Sequence, residues 1–162
     1  MLRPALILLL SILSLTVPIS AAETPLQDRS QSGGLADLFR KGSTQAVTQA
    51  LAGGANLNLT DQDGQTPLML AAGSNPEPQV TELLLSKGAD PSAREKKFGL
   101  TPLMFATMFN KPAVAQTLLR GGADPDQRND HGGTALHQAA ATTPLPGMVL
   151  TLAAAGADLN AV

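Results

Sequence analysis

The 162-residue chain contains no cysteine, no tryptophan and no tyrosine. Without cysteine the protein cannot form a disulfide bond or a thiolate metal site, and its N-terminus cannot carry a lipid-modified cysteine. The chain has 11 basic and 13 acidic residues, a net charge of −2 and no basic face. This charge balance, together with the lack of tryptophan and tyrosine, argues against a nucleic acid as the partner.

Residues 1–22 have the organisation of a secretory signal peptide. Arg3 supplies an early positive charge, an apolar run covers residues 5–17, and the small residues 20–22 follow. We therefore predict cleavage at the end of this segment and export of the protein to a bacterial periplasm, because the signal is short and the repeats follow it immediately; eukaryotic secretion is the alternative. A membrane anchor is the alternative, but the apolar run is shorter than the ~20 residues that a spanning helix needs, and Pro18 interrupts it.

A phrase of three residues recurs every 34 residues along the rest of the chain. It consists of glycine, alanine and then Asn or Asp, and it begins at Gly54, Gly88, Gly122 and Gly156. A second phrase, Thr-Pro-Leu or Thr-Ala-Leu, alternates with it and begins at Thr66, Thr101 and Thr134. A fixed period of this length indicates a stacked array of one supersecondary unit.

Each unit has the pattern of two short helices. In the second unit the Thr66 hydroxyl can cap the first helix, and Pro67 suits the first helical position because its missing N–H is not needed there. A second apolar run follows a Gly-Ser-Asn turn, and Gly88 suits a left-handed residue that ends this run. The pattern predicts helix, turn, helix and a short polar loop.

This unit resembles the ankyrin repeat. The family phrase Gly-x-Thr-Pro-Leu-His-x-Ala-Ala is matched closely by residues 64–72 and 99–107 and, in part, by residues 134–140. The resemblance implies an all-α repeat solenoid of about four ankyrin repeats, whose helix-turn-helix units are joined by β-hairpin-like loops. We expect a signal peptide (1–22), a flexible tether (23–32) and an ankyrin-repeat domain (33–162). The four units cover about 33–60, 61–93, 94–127 and 128–162.

The sequence offers little for catalysis. His131 and His137 are its only histidines, and the resemblance assigns His137 to the family's structural position at a helix start. The loop aspartates lack the alternating pattern and closing Glu of a calcium loop, and no phosphate loop or serine elbow is present. We therefore predict no enzyme, no cofactor and no metal site; a metal-binding or enzymatic protein that uses loop Asp and His residues is the alternative.

The first helices have a second side, which in ankyrin repeats lines the concave groove. In unit three, Phe105, Met108 and Phe109 lie about 200° from the stacking stripe. Leu70 in unit two and Gln138 in unit four occupy matching positions. Asp37, Arg40 and Lys41 match in unit one, so the predicted groove is charged at its start, apolar in its middle and polar at its end, which is typical of an interface. The alternative is that the phenylalanines complete the core.

Two further features predict contacts beyond the first helices. Lys96, Lys97 and Phe98 lie in the longest loop, and His131 lies at the tip of the next loop. Both tips are either solvated or in contact with a partner. A partner that contacts the two lysines would be acidic. The last helix has no clearly polar outer face, so either Leu150 is exposed or another chain covers it.

Together these features predict an exported, non-enzymatic ankyrin-repeat protein that binds another protein through its groove. The partner would be a periplasmic protein, and the role would be accessory, protective or inhibitory. We expect no nucleic acid partner and no membrane association after signal removal. A self-assembling structural element, in which the last unit stacks on another copy, is the second hypothesis.

Overall fold

The computed structural model describes residues 31–109, 111–142 and 146–160. Within them the chain forms eight α-helices and no β-strand. The helices are α1 (Gln31–Lys41), α2 (Thr44–Ala52), α3 (Pro67–Ser74), α4 (Pro78–Ser86), α5 (Pro102–Met108), α6 (Pro112–Arg120), α7 (Ala135–Thr142) and α8 (Pro146–Ala154). The predicted signal peptide lies outside the described residues, and so does most of the predicted tether.

The eight helices pack as two layers. One layer holds the first helix of each unit, with α1 against α3, α3 against α5 and α5 against α7. The other layer stacks α2, α4, α6 and α8 in the same order, and the two helices of each unit also contact each other. This arrangement confirms the predicted all-α repeat solenoid of four helical pairs.

The helices begin and end where the sequence predicts. The hydroxyls of Thr66 and Thr101 each accept a hydrogen bond of 3.3 Å from the backbone N–H three residues later. A proline follows each threonine at the start of the helix. Gly88 follows the end of α4 with a φ of 88°, a left-handed conformation that glycine adopts without a steric penalty.

The loops between units are hairpin-like, as the resemblance implies. Each loop is closed by a backbone hydrogen bond across its base: Asp61 N–H to Gln65 O at 3.0 Å, Glu95 N–H to Leu100 O at 3.0 Å, and Asn129 N–H to Gly133 O at 2.9 Å. Neighbouring loops are also joined to each other, since the Asp130 N–H donates to the Phe98 carbonyl at 2.9 Å. The loops therefore form a second row of contacts beside the helices.

One hydroxyl in the core lacks a partner. Thr81, on α4, is fully buried, and its Oγ1 makes no hydrogen bond with the described residues. A buried donor without a partner costs about 1–3 kcal/mol. We expect Thr81→Val to raise the free energy of unfolding by about 1 kcal/mol, measured by urea denaturation.

Thr107 provides the matched control. It is 2% exposed on α5, but its Oγ1 donates to the Leu103 carbonyl at 2.9 Å. Thr107→Val should therefore lower the free energy of unfolding by about 1 kcal/mol. If both substitutions changed stability in the same direction, hydrogen bonding would not be the cause.

The turn between α3 and α4 predicts a specific dependence of stability on pH. The Glu77 carboxylate accepts hydrogen bonds from the Thr44 hydroxyl at 2.6 Å and the Thr44 backbone N–H at 2.8 Å. These bonds hold the pKa of Glu77 below its ordinary value of 4.5. A carboxyl whose pKa falls on folding stabilises the fold above its unfolded pKa, and that contribution is lost as the pH drops through the folded pKa.

We therefore expect Glu77 to contribute to the loss of stability as the pH falls below about 4.5. Glu77→Gln should remove this contribution, so that urea midpoints of the variant fall less steeply between neutral pH and acid. Asp90→Asn is the control, because Asp90 is exposed and its side chain accepts only a local hydrogen bond from the Ser92 N–H. Equal acid sensitivity of the wild type and Glu77→Gln would contradict the assignment.

Candidate protein-binding surface

The C-terminal end of α5 exposes two large apolar side chains. Met108 is 37% exposed and Phe109 is 53% exposed. Phe105, one turn earlier, is only 8% exposed. The prediction that Phe105 is a surface contact is therefore wrong, and the alternative that it completes the core is right for this ring. We call Met108 and Phe109 the apolar edge.

The reason for this burial lies in the neighbouring unit. A Cβ atom added to Gly73 on α3 would lie 3.2 Å from the Phe109 ring and 3.5 Å from the Phe105 ring. Because Gly73 has no side chain, both rings can lie against α3. Phe105 is covered there almost completely, whereas Phe109 covers the glycine with one part of its ring and leaves the rest exposed.

Leu70 is also buried, with 4% of its surface exposed, so its predicted place on the binding surface is wrong too. Helix α3 packs between α1 and α5, and its residues 67–73 are all buried. The sequence contains a signal for this, because α3 has no polar residue before Ser74, and a helix that is apolar all round is usually buried.

The two ends of the predicted groove are polar. At its start, Arg40 forms an ion pair with Asp61 at 3.0 Å, and Lys41 is exposed. At its other end, Gln138 is half-buried on α7 and is already engaged in a contact within the protein. The apolar edge is therefore the main exposed apolar feature between these two ends, as expected for an interface with an apolar centre.

The longest loop is organised around a buried carboxylate. Glu95 is 5% exposed, and its two oxygens accept hydrogen bonds from the backbone N–H groups of Lys97, Phe98 and Leu100 at 2.5, 2.5 and 3.4 Å. Sequence reasoning missed this role, because Glu95 stands within a run of charged residues and nothing in that run distinguishes an inward side chain from a solvated one.

The side chains predicted as loop contacts come together at this tip. Phe98 is 41% exposed; the Lys97 ammonium nitrogen lies 5.0 Å from its ring centroid, and the His131 ring centroid lies 5.9 Å from it. The aliphatic part of Lys96 lies against Gly64 of the preceding loop. We call these four residues (Lys96, Lys97, Phe98 and His131) the basic tip.

The apolar edge and the basic tip are separate surfaces. Phe98 precedes α5 and Phe109 follows it, so the two rings lie at opposite ends of this helix. A helix of seven residues is about 10 Å long. The structure thus divides the predicted site residues into two groups, and a partner that touches both must extend along α5.

His137 has the structural role that the resemblance implies. Its Nδ1 accepts a hydrogen bond from the Thr134 backbone N–H at 3.2 Å and lies 2.9 Å from the Thr134 hydroxyl. In unit two the Met69 sulfur accepts the corresponding bond from the Thr66 N–H at 3.4 Å. A thioether can therefore replace the imidazole at this helix start, which explains how unit two folds without the motif histidine.

Other kinds of site find little support in the described part of the chain. No group of three or more His, Asp or Glu side chains there is placed to hold a metal ion. None of the described helices combines the length and apolar character needed to cross a bilayer. An open depression of about 360 Å³ lies between α4 and α6, but it contains none of the predicted contact residues.

Comparison with known proteins agrees with this architecture. The chain matches the family described as ankyrin repeats (3 copies) over residues 35–129 and again over 74–162. It is also similar to the human 2-5A-dependent ribonuclease, with 46% identity over 63 residues. That stretch is 38% of this chain but only 8% of the ribonuclease.

Proposed function

Because this chain belongs to the ankyrin-repeat family, we propose that it binds another protein through the apolar edge formed by Met108 and Phe109. Ankyrin-repeat proteins are generally non-enzymatic scaffolds, and the repeats themselves indicate protein–protein interaction. The observation that carries the proposal is the exposure of Phe109, which is 53% accessible on the first-helix layer while Phe105 beside it is buried. Exposed apolar clusters with a polar rim tend to mark interaction sites.

The finer part of the proposal concerns location and role. Residues 1–22 support export by a cleavable signal peptide, and the partner would then be a periplasmic or secreted protein that the repeats accompany, protect or inhibit. Intact-mass measurement on protein from its native source tests this. The mature chain should begin at Glu23, and recovery of a form that retains residues 1–22 in the membrane fraction would contradict export in soluble form.

Paired capture experiments test the binding surface. A tagged protein carrying Met108→Ser and Phe109→Ser should lose a partner that the wild type retains. Its free energy of unfolding should fall by only about 1 kcal/mol, because both side chains are already partly exposed. Leu150→Ser is the matched control, since Leu150 is 66% exposed on α8, away from the apolar edge.

The control variant should capture the partner as well as the wild type does. If the partner were retained by the Met108/Phe109 variant, the apolar edge would not be the binding surface. If the partner were lost equally from both variants, the loss would not be specific to this surface.

A second function is favoured by the last helical pair. Leu150 and Leu159 are 66% and 63% exposed, and exposed apolar side chains on a helical repeat favour stacking against another chain. In this alternative the protein is a self-assembling element. Light scattering should then show a molecular mass that rises with concentration in the wild type and stays constant in Leu150→Glu; a constant mass in both would exclude self-assembly through this face.

A further inference from the structure

The shape of the basic tip is fixed by hydrogen bonds that do not involve the ammonium groups of Lys96 and Lys97. The Glu95 carboxylate is turned into the loop and accepts backbone N–H groups. The ion pairs among the described residues are Arg40 with Asp61 and Arg94 with Asp130. Lys96 and Lys97 thus form no ion pair within the described part of the chain.

The neighbouring loop supports this shape from the side. The Asp130 N–H donates to the Phe98 carbonyl at 2.9 Å. The Arg94 guanidinium donates to the Arg128 carbonyl and to the Asp130 carboxylate, both at 2.6 Å. Arg94 therefore forms an ion pair with Asp130 beside the tip.

The tip combines an apolar surface with positive charge. Phe98 offers an exposed ring, with the ammonium group of Lys97 over it and His131 beside it. The stem of Lys96 lies against Gly64 of the adjoining loop. Lys96 and Lys97 are both exposed and form no ion pair among the described residues, so both ammonium groups can meet acidic groups of a partner.

We propose that the basic tip binds an acidic segment of the partner protein, with carboxylates at Lys96 and Lys97 and an apolar side chain against Phe98. The inference rests on the proposed function. A partner bound at the apolar edge would extend along α5, and the inference names the chemistry of the partner segment at the other end of this helix. Complementary charge at such a tip would speed association and select partners of the right sign. A loop already ordered by Glu95 would lose little freedom on binding.

The composition of the protein permits a direct test. The chain contains neither tryptophan nor tyrosine, so the fluorescence of a tryptophan in a peptide reports on the peptide alone. The probes are two peptides of equal length with a central tryptophan, one flanked by Asp and Glu and the other by Asn and Gln. The acidic peptide should bind the full protein about tenfold more tightly than its amide counterpart.

Matched variants separate the tip from the overall charge. Lys96→Ser with Lys97→Ser should weaken binding of the acidic peptide about tenfold, and Phe98→Ser should weaken both peptides. Lys87→Ser with Arg120→Ser removes the same charge from two exposed basic residues elsewhere and should leave binding nearly unchanged. Circular dichroism before each titration confirms that the variants are folded.

Equal binding of the two peptides would overturn the proposal, and so would equal losses of binding in the two double variants. Phosphatidylglycerol vesicles are the second probe. If the vesicles bind through Lys96 and Lys97 while the acidic peptide does not bind, the tip recognises a membrane and the proposal is wrong. The test is independent of the proposed function, because the Met108/Phe109 variant should bind the acidic peptide as the wild type does. If that variant loses its partner while the peptides do not discriminate, the proposed function stands and the acidic segment is wrong.

Discussion

Leu84→Ala or Leu118→Ala is expected to lower the free energy of unfolding by about 2–5 kcal/mol. Both leucines are completely buried and occupy the same position in α4 and α6, four residues before the left-handed glycines Gly88 and Gly122. Truncation removes apolar contacts from a layer packed on both sides, and neighbouring helices can close the resulting cavity only partly. A typical domain has 5–15 kcal/mol of stability in total, so the loss is a large share.

Two comparisons show whether burial is the cause. Leu150→Ala removes the same atoms from a side chain that is 66% exposed, and should change stability by less than about 0.5 kcal/mol. Thr66→Ala removes the cap of α3 and should cost about 1 kcal/mol. Urea denaturation should therefore rank Leu84→Ala above Thr66→Ala and Thr66→Ala above Leu150→Ala, and a reversed order would contradict the assignment of the core.

The features that the sequence predicts correctly are those that depend on neighbours along the chain. Thr66 and Pro67 start a helix because capping and a missing N–H act within one turn. Gly88 ends a helix because glycine readily adopts a left-handed φ, and this depends on that residue alone. Because the unit repeats every 34 residues, the same local assignments apply to each unit. The sequence therefore predicts the solenoid without knowledge of the contacts between units.

The errors concern contacts between units. Helical phase alone places Phe105 on the outer side of α5, but its burial depends on Gly73 in the preceding unit. The inward position of Glu95 was missed for a different reason, because it depends on how the backbone of its own loop folds around the carboxylate. A single sequence gives the period of the repeat but does not show which side chains meet between neighbouring units. The exposed part of the predicted surface therefore consists of the apolar edge and the basic tip.

Asn75 is the clearest case of a contact between units, and its replacement has the second large expected effect. The side chain is 1% exposed, and its amide donates to the Phe39 and Gly42 carbonyls of unit one at 2.9 and 3.0 Å. Its Oδ1 accepts the Glu77 N–H at 2.8 Å. On the other side, Lys111 of unit three donates to the Asn75 backbone carbonyl at 2.6 Å.

Asn75→Ala should lower the free energy of unfolding by about 3 kcal/mol, because it leaves the buried hydrogen bond to Phe39 and the two part-buried ones to Gly42 and Glu77 unmade, and a buried group without a partner costs about 1–3 kcal/mol. Asn75→Asp tests this reason at constant size: at neutral pH its carboxylate cannot donate and would face two carbonyl oxygens, so it should be at least as unstable as the alanine variant. Acidification should partly rescue the aspartate variant alone, since a protonated carboxyl can donate one hydrogen bond. Urea melts at two pH values measure both effects, and an aspartate variant as stable as the wild type at neutral pH would show that these hydrogen bonds do not hold unit two to unit one.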